Sequence, residues 1–206
     1  LLNSNGTVDT NFHTQVNGSY PSVNCIEETN TGNIAIGGSF TTVNIATQSN
    51  LSMVDLTGNL AISPQGIQQG MVFAVAVQPD DKVLIGGSFS HYFGRSSPGL
   101  TRLNANGDLD TVFQNNFGLG IIGNIQDIYV LPNQKILIGG NFIDVDGYPA
   151  DRIARLNSNG SVDTTFNGPA FMHGGVNSID VQANGKILIG GGFRYLNGSS
   201  QSYMAR

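Results

Sequence analysis

An all-β fold is what this sequence predicts, on three observations. A run of apolar residues ending in Gly-Gly-x-Phe occurs four times, from Asn33 to Phe40, Lys82 to Phe89, Lys135 to Phe142 and Lys186 to Phe193. The first glycines of the pairs, Gly37, Gly86, Gly139 and Gly190, lie 49, 53 and 51 residues apart, at the upper edge of the range in which an internal period signals a propeller or a solenoid. The composition is that of a turn-rich β protein, with 28 glycines and only 11% charged residues, under half the usual ~25%. Four-stranded antiparallel sheets repeated at this length fit the blades of a β-propeller, in which each sheet buries its faces against its neighbours.

The last repeat shows the elements most clearly. Val176 to Val181 reads as a short strand, and Gln182-Ala183-Asn184-Gly185 follows as a turn. Asn-Gly suggests the two-residue hairpin in which both central residues take positive φ. The next run, Lys186 to Phe193, has an unbroken Ile-Leu-Ile, as in a strand covered on both faces. Its glycines mark a bulge or a place where another backbone comes close. The preceding repeat supplies the rest: a third strand, Arg152 to Leu156, a second Asn-Gly turn at Asn159-Gly160, and a fourth short strand, Ser161 to Phe166. First-strand patterns recur at Val23 to Ile26, Val72 to Val77 and Ile125 to Val130, and turn glycines at Gly6, Gly58 and Gly107. The whole chain, 1–206, is one repeat domain with units at about 2–54, 55–103, 104–156 and 157–206. No segment holds a helical period, so little or no helix is expected.

The pattern Arg-Leu-Asn-x-Asn-Gly-x-x-Asp-Thr-x-Phe, at Arg102 to Phe113 and Arg155 to Phe166, precedes a downstream Lys-Ile-Leu-Ile-Gly-Gly-x-Phe. Together these resemble the bacterial delta-60 repeat, a β-propeller repeat, and the resemblance covers essentially the whole chain. It implies a non-enzymatic propeller of large secreted or surface proteins of bacteria and of some phage structural proteins, with no catalytic residues to carry over. One unit departs from the motif: Met53 stands for the arginine and Ala61 for the aspartate. The two are lost together, so a contact between arginine and carboxylate across the outer hairpin is expected where both persist.

Leu2 aligns with Leu156 and Arg206 with Arg155. Either Tyr203 to Arg206 completes the first unit in a closed small propeller, or the segment is an excerpt of a longer array. The excerpt is the expectation, since the segment opens without Met and Arg206 calls for a following Leu-Asn; propellers run to roughly 4 to 8 blades, so four repeats are all of one or part of one.

Charge and motifs narrow the chemistry. A net charge of −5 with nine Lys and Arg argues against nucleic acid, which needs a clustered basic face. No apolar run approaches the ~20 residues of a membrane span. The lone Cys25 sits in an apolar run and reads as an inert thiol. His13, His91 and His173 fall at different points of their repeats, which fits neither a shared metal site nor a relay. No cofactor is expected. Calcium is the one metal the residues suggest, at Asp144-Val145-Asp146-Gly147 and Asn104 to Asp110, although neither stretch carries the full ligand set. The Asn-x-Ser/Thr sites at Asn5, Asn17, Asn50, Asn159 and Asn197 are explained as turns in most cases.

The sequence therefore points to a non-catalytic module of an extracellular surface, an appendage, or a phage tail or virion protein. Its loops would meet a glycan, a protein or an identical subunit. Candidate contact residues are Tyr92, Arg95, Tyr148, Arg194 and Tyr195, because aromatic and guanidinium groups join a flat apolar face to polar edges. The alternative is a carbohydrate-active propeller enzyme, for which Glu27, Asp127 and Asp180 are the carboxylates to converge at the channel mouth.

Overall fold

The computed structural model describes residues 1–64 and 66–206, with the backbone alone at Met172. Four antiparallel sheets follow one another along the chain. The first contains Ser22–Glu28, Ile34–Ser39, Leu51–Val54 and Leu60–Ile62; the second, Val72–Val77, Val83–Gly87 and Leu100–Leu103. The third contains Ile121–Val130, Ile136–Val145, Tyr148–Pro149 and Ile153–Leu156; the fourth, Val176–Val181, Ile187–Gly191 and Met204–Ala205. Each sheet is built from strands consecutive along the chain, the first reaching past the expected boundary at 54 to include Leu60–Ile62.

Sheet packs on sheet in chain order through three apolar clusters. Val72, Val83 and Ile85 of the second sheet meet Ala35, Leu51 and Met53 of the first. Ile125, Ile128 and Ile138 of the third meet Ala74 and Leu84 of the second, and Val176 and Ile179 of the fourth meet Leu137 and Ile153. The central strand Val83–Gly87 is accordingly buried at every residue, as its unbroken apolar run requires. The glycine pairs explain how the sheets come so close. A Cβ on Gly37, Gly86 or Gly139 would collide with Val72, Ile125 or Val176 of the next sheet. A Cβ on the second glycine of the pair would run into a backbone carbonyl of its own sheet, at Ser22, Met71, Asn124 or Gly175, where the first strand bulges. Among the described residues, no hydrogen bond, ion pair or core cluster joins the first sheet to the fourth.

Two expectations need correction. The Asn-Gly turns are not two-residue hairpins: only the glycine is at positive φ, as at Gly107 (88°) and Gly185 (79°). Gly185 N–H donates to Gln182 O (2.8 Å) and Gln182 N–H to Lys186 O (2.9 Å), which is the three-residue loop that ends in a left-handed glycine. The asparagine accepts from the amide two residues on instead, as Asn159 Oδ1 does from Ser161 N–H (3.1 Å). The fourth strand is also not general. It exists at Leu60–Ile62 but shrinks to single bridges, Leu103 with Leu109 and Leu156 with Val162, in the two following units.

One aspartate accounts for that difference. Asp110 Oδ1 accepts from Phe113 N–H (3.1 Å) and caps a short helix, Thr111–Phe117. Asp163 Oδ1 turns the chain at Thr165 N–H (3.1 Å). In the first sheet the position is Ala61, which cannot cap, and the chain runs on as a strand. The second carboxylate oxygen makes the expected cross-hairpin contact in both units. Asp110 Oδ2 accepts from Arg102 Nε (3.0 Å) and Nη2 (2.8 Å), with Lys82 Nζ at 3.3 Å. Asp163 Oδ2 accepts from Arg155 Nε and Lys135 Nζ, both at 2.7 Å. Each guanidinium also lies over the last aromatic of the motif, Arg102 over Phe113 (4.3 Å) and Arg155 over Phe166 (5.0 Å). The first sheet lacks all three charges at once, carrying Asn33, Met53 and Ala61 in the places of lysine, arginine and aspartate.

This clasp is buried, the side chains of Arg102 and Asp110 being 7% and 8% exposed, so removing one member leaves an uncompensated charge at a cost of about 3–5 kcal/mol. Asp110→Ala is expected to lose that much in urea unfolding. The double change Arg102→Met, Asp110→Ala, which copies the first sheet, is expected to lose less than the single one.

Both carboxyls are held below their ordinary value. At Asp163 the Lys135 ammonium leads, with Thr165 and Arg155 adding to it against burial. At Asp110 burial is the largest influence and is outweighed by the Phe113 amide, Arg102 and Lys82 together. A depressed folded-state value gives stability that is full above the unfolded value of about 3.9 and drains away as the pH falls below it. Between about pH 5 and pH 3 the melting temperature is therefore expected to fall more steeply in the native chain than in Asp163→Asn.

Candidate functional site

Past each Gly-Gly-x-Phe the chain makes a second, smaller hairpin. Thr42–Val43 and Ala46–Thr47 form the first, His91–Tyr92 and Arg95–Ser96 the second, and Tyr195–Leu196 and Ser199–Ser200 the fourth. In the third unit the long strand ending at Val145 turns directly into Tyr148–Pro149. Each hairpin continues the same end of its sheet, so their tips form a series: Asn44-Ile45, Phe93-Gly94, Asp146-Gly147 and Asn197-Gly198.

The first residue of every tip is left-handed, with φ of 54° at Asn44, 45° at Phe93, 53° at Asp146 and 49° at Asn197. Asparagine and aspartate suit that conformation. They also use their side chains there: Asn44 Oδ1 accepts from Gln15 N–H (3.0 Å), Asp146 Oδ1 from Leu119 N–H (2.8 Å) and Asn197 Oδ1 from Ala170 N–H (2.9 Å). Phe93 keeps the backbone contact, its N–H donating to Gly66 O (3.2 Å), but its ring can accept nothing and is 62% exposed. A bulky side chain at positive φ costs about 1–2 kcal/mol, and this one gains little burial in return. Ile45, at the neighbouring tip, is fully exposed. Phe93 lies inside the His91 to Arg95 loop that the sequence suggests for contact, whereas Ile45 is outside every stretch it suggests. Comparing Phe93 with its three Asn or Asp counterparts is the signal that finds it.

The expected contact residues divide. Tyr92 is a correction: it is 1% exposed, packs in the core between the first two sheets, and donates its hydroxyl to Gly107 O (3.0 Å). Strand alternation turns it inward opposite Ile67, while the residues after it turn out. Arg95 is exposed opposite Tyr92 and lines a shallow hollow with Phe93, Asp108 and Leu109. Tyr148, half exposed, follows the Asp146-Gly147 tip opposite Val145. Arg194 and Tyr195 belong to the fourth unit and line a separate hollow with His173, whose ring centroid is 6.4 Å from that of Tyr195.

Of the carboxylates considered for catalysis, Glu27 and Asp180 stand at equivalent places, opposite Ala35 and Leu188, whereas Asp127 is offset, opposite the first glycine of its pair, Gly139. Asp127 already accepts from the amides of Ile128 (2.9 Å) and Ile179 (2.6 Å); burial raises its pKa against those bonds, and burial raises that of Glu27. Asp180 accepts from Val181 N–H (2.8 Å). Asp144 and Asp146, weighed for calcium, are bound to turn amides at Gly147 and Leu119, and among the described residues no three His, Cys, Asp or Glu side chains converge. Burial pushes the Cys25 thiol up to about 12, as for an inert cysteine. Asn50 spends its carboxamide on Phe40 N–H and Gly70 O, both at 2.9 Å. No helix among the described residues is long and apolar enough to cross a membrane.

No curated protein matches the chain. The model of the family described as "Domain of unknown function (DUF5122) beta-propeller" matches residues 78–113, 131–166 and 182–206, a little under half of the sequence. Each matched segment begins at the turn before a Gly-Gly strand, and the first two run on to the aromatic that stacks on the clasp arginine. This likeness, with the all-β antiparallel structure, supports a β-propeller repeat family.

Proposed function

We propose that the chain is a non-catalytic recognition module of the delta-60 kind. Its sheets are propeller blades, and their hairpin tips meet a glycan or a protein at an extracellular surface, an appendage or a virion. The observation that carries this reading is Phe93, an exposed aromatic held at positive φ where the matching tips have Asn or Asp. Stability alone favours asparagine there, so a role outside the fold accounts for the phenylalanine. Arg95 beside it and Tyr148 on the next tip supply the planar cation and the second aromatic that contact surfaces favour. The rigid stack beneath holds these side chains in place and so lowers the ordering cost of binding.

The test is an immobilised panel of defined bacterial surface polysaccharides and outer-membrane proteins, probed with the native chain and with Phe93→Asn and Tyr148→Ala. The native chain is expected to be retained by at least one member. Phe93→Asn is expected to raise stability by about 1 kcal/mol while weakening that retention at least about tenfold. Retention unchanged in both variants, or no retention by any member, counts against the reading.

A further inference from the structure

Three departures from the repeat meet at one place on the second unit. The second residue after the start of each hairpin tip is Ala46, Arg95, Tyr148 and Ser199 in the four units, so the guanidinium belongs to one unit alone. The tip before it carries Phe93 where the other units have Asn or Asp. The helix Thr111–Phe117, capped by Asp110, is likewise confined to this junction among the described residues. It brings Gln114 and Asn115 up to Arg95 and Ser96, and with Gly118 these residues line an open hollow of about 560 Å³, within the ~300–1,000 Å³ of small-molecule sites. Arg95 is also a wall of the hollow that holds Phe93, Asp108 and Leu109. One guanidinium thus stands between an exposed ring on one side and two carboxamides on the other. All of these residues lie between the second and third sheets or at their edges, in the interior of the stack.

The unspent polar groups here are chiefly donors. Arg95 makes no ion pair and no side-chain hydrogen bond among the described residues. Gln114 is nine-tenths buried; its Oε1 accepts from Thr101 Oγ1 (3.2 Å), and its Nε2 finds no acceptor. An unpaired buried donor is destabilising, so an acceptor arriving from outside accounts for the carboxamide. The carboxylates of the protein nearby are not that acceptor. Asp108, in the adjoining hollow, is engaged by Asn106 Nδ2 (2.8 Å). Asp146, beside Gly118, is bound to the Leu119 amide.

We propose that this place binds a carboxylated sugar, a uronic acid unit within an acidic polysaccharide. The inference rests on the reading of the Phe93 tip as a contact surface and gives that surface its ligand class. The carboxylate takes two parallel N–H groups of the Arg95 fork, the geometry that suits guanidinium to carboxylate. Gln114 swings its carboxamide from the floor of the hollow to bring Nε2 to one of the same oxygens. The apolar face of the sugar ring lies on Phe93, and Asp108 accepts from its hydroxyls. Two observations favour a glycan over an acidic peptide. The free strand edge at this place, Arg95–Ser96, is two residues long, too short to pair with an extended chain. Phe93 offers a flat exposed ring instead of an apolar pocket for an anchoring side chain.

The test measures binding of oligogalacturonate and oligoglucuronate to the immobilised native chain, beside the same oligosaccharides with their carboxyl groups reduced to alcohols. The native chain is expected to bind at least one acid form, and reduction to weaken that binding at least about tenfold. Arg95→Gln is expected to weaken the acid form by a similar factor and to erase the preference over the reduced form. Its melting temperature is expected to stay that of the native chain, because Arg95 has no partner to lose. Arg95→Lys, which keeps the charge without the fork, is expected to fall between the two. A reduced form that binds as well as the acid, or a preference that survives Arg95→Gln, overturns the proposal; a loss on Phe93→Asn in the same assay then leaves the tip standing as a contact surface. Failure of both acid forms to bind also overturns it, and the wider panel of polysaccharides and proteins then decides the tip separately. Polyglutamate bound as tightly as the uronates assigns the place to acidic peptides and overturns the glycan.

Discussion

The structure depends on how closely one sheet lies on the next. The distance is set at Gly37, Gly86 and Gly139, where the absence of a side chain lets a valine or isoleucine of the following sheet reach the strand itself. Most of the sequence pattern follows from this. The second glycine of each pair is needed because the first strand bulges there and its carbonyl turns toward the partner strand. The strand leading into the glycines must be apolar on both faces because both are covered. The aromatic after them is buried in every unit, at Phe40, Phe89, Phe142 and Phe193, where the chain leaves the sheet for the hairpin.

A second constraint acts at the outer edge. There the third strand meets a loop too short to bury much apolar surface, and the edge is held by the arginine, lysine and aspartate set under an aromatic lid. One aspartate both closes the clasp and turns the backbone, so losing it changes secondary structure as well as charge. The first sheet shows the alternative. With Asn33, Met53 and Ala61 it has no charges to satisfy, buries Met53 completely, and adds a paired fourth strand. The two solutions fit the same place in the repeat, and desolvated ions with full partners hold it no better in principle than apolar contacts do.

Much of this was legible in the sequence because the repeat supplies its own controls. Four copies of Gly-Gly-x-Phe gave the period, and the joint loss of arginine and aspartate at Met53 and Ala61 pointed to their contact elsewhere. What could not be read were features decided by one dihedral angle or one face of a two-residue strand. The Asn-Gly turns hold one positive φ, not two, and Tyr92 and Phe93 are adjacent aromatics that the hairpin sends to opposite environments. Lys82 and Lys135 looked like ordinary strand-entry residues, since their aspartates lie 28 positions downstream and meet them only across the folded edge.

Because each sheet packs on the one before it and the one after, the molecule behaves as a linear stack of near-identical interfaces. Whole periods can be gained or lost without any interface having to be reinvented, provided that the cut restores the same glycine under the same aliphatic pair. Length is then a freely adjustable property of such a chain, in steps of about fifty residues, while the chemistry of each tip varies independently of its neighbours.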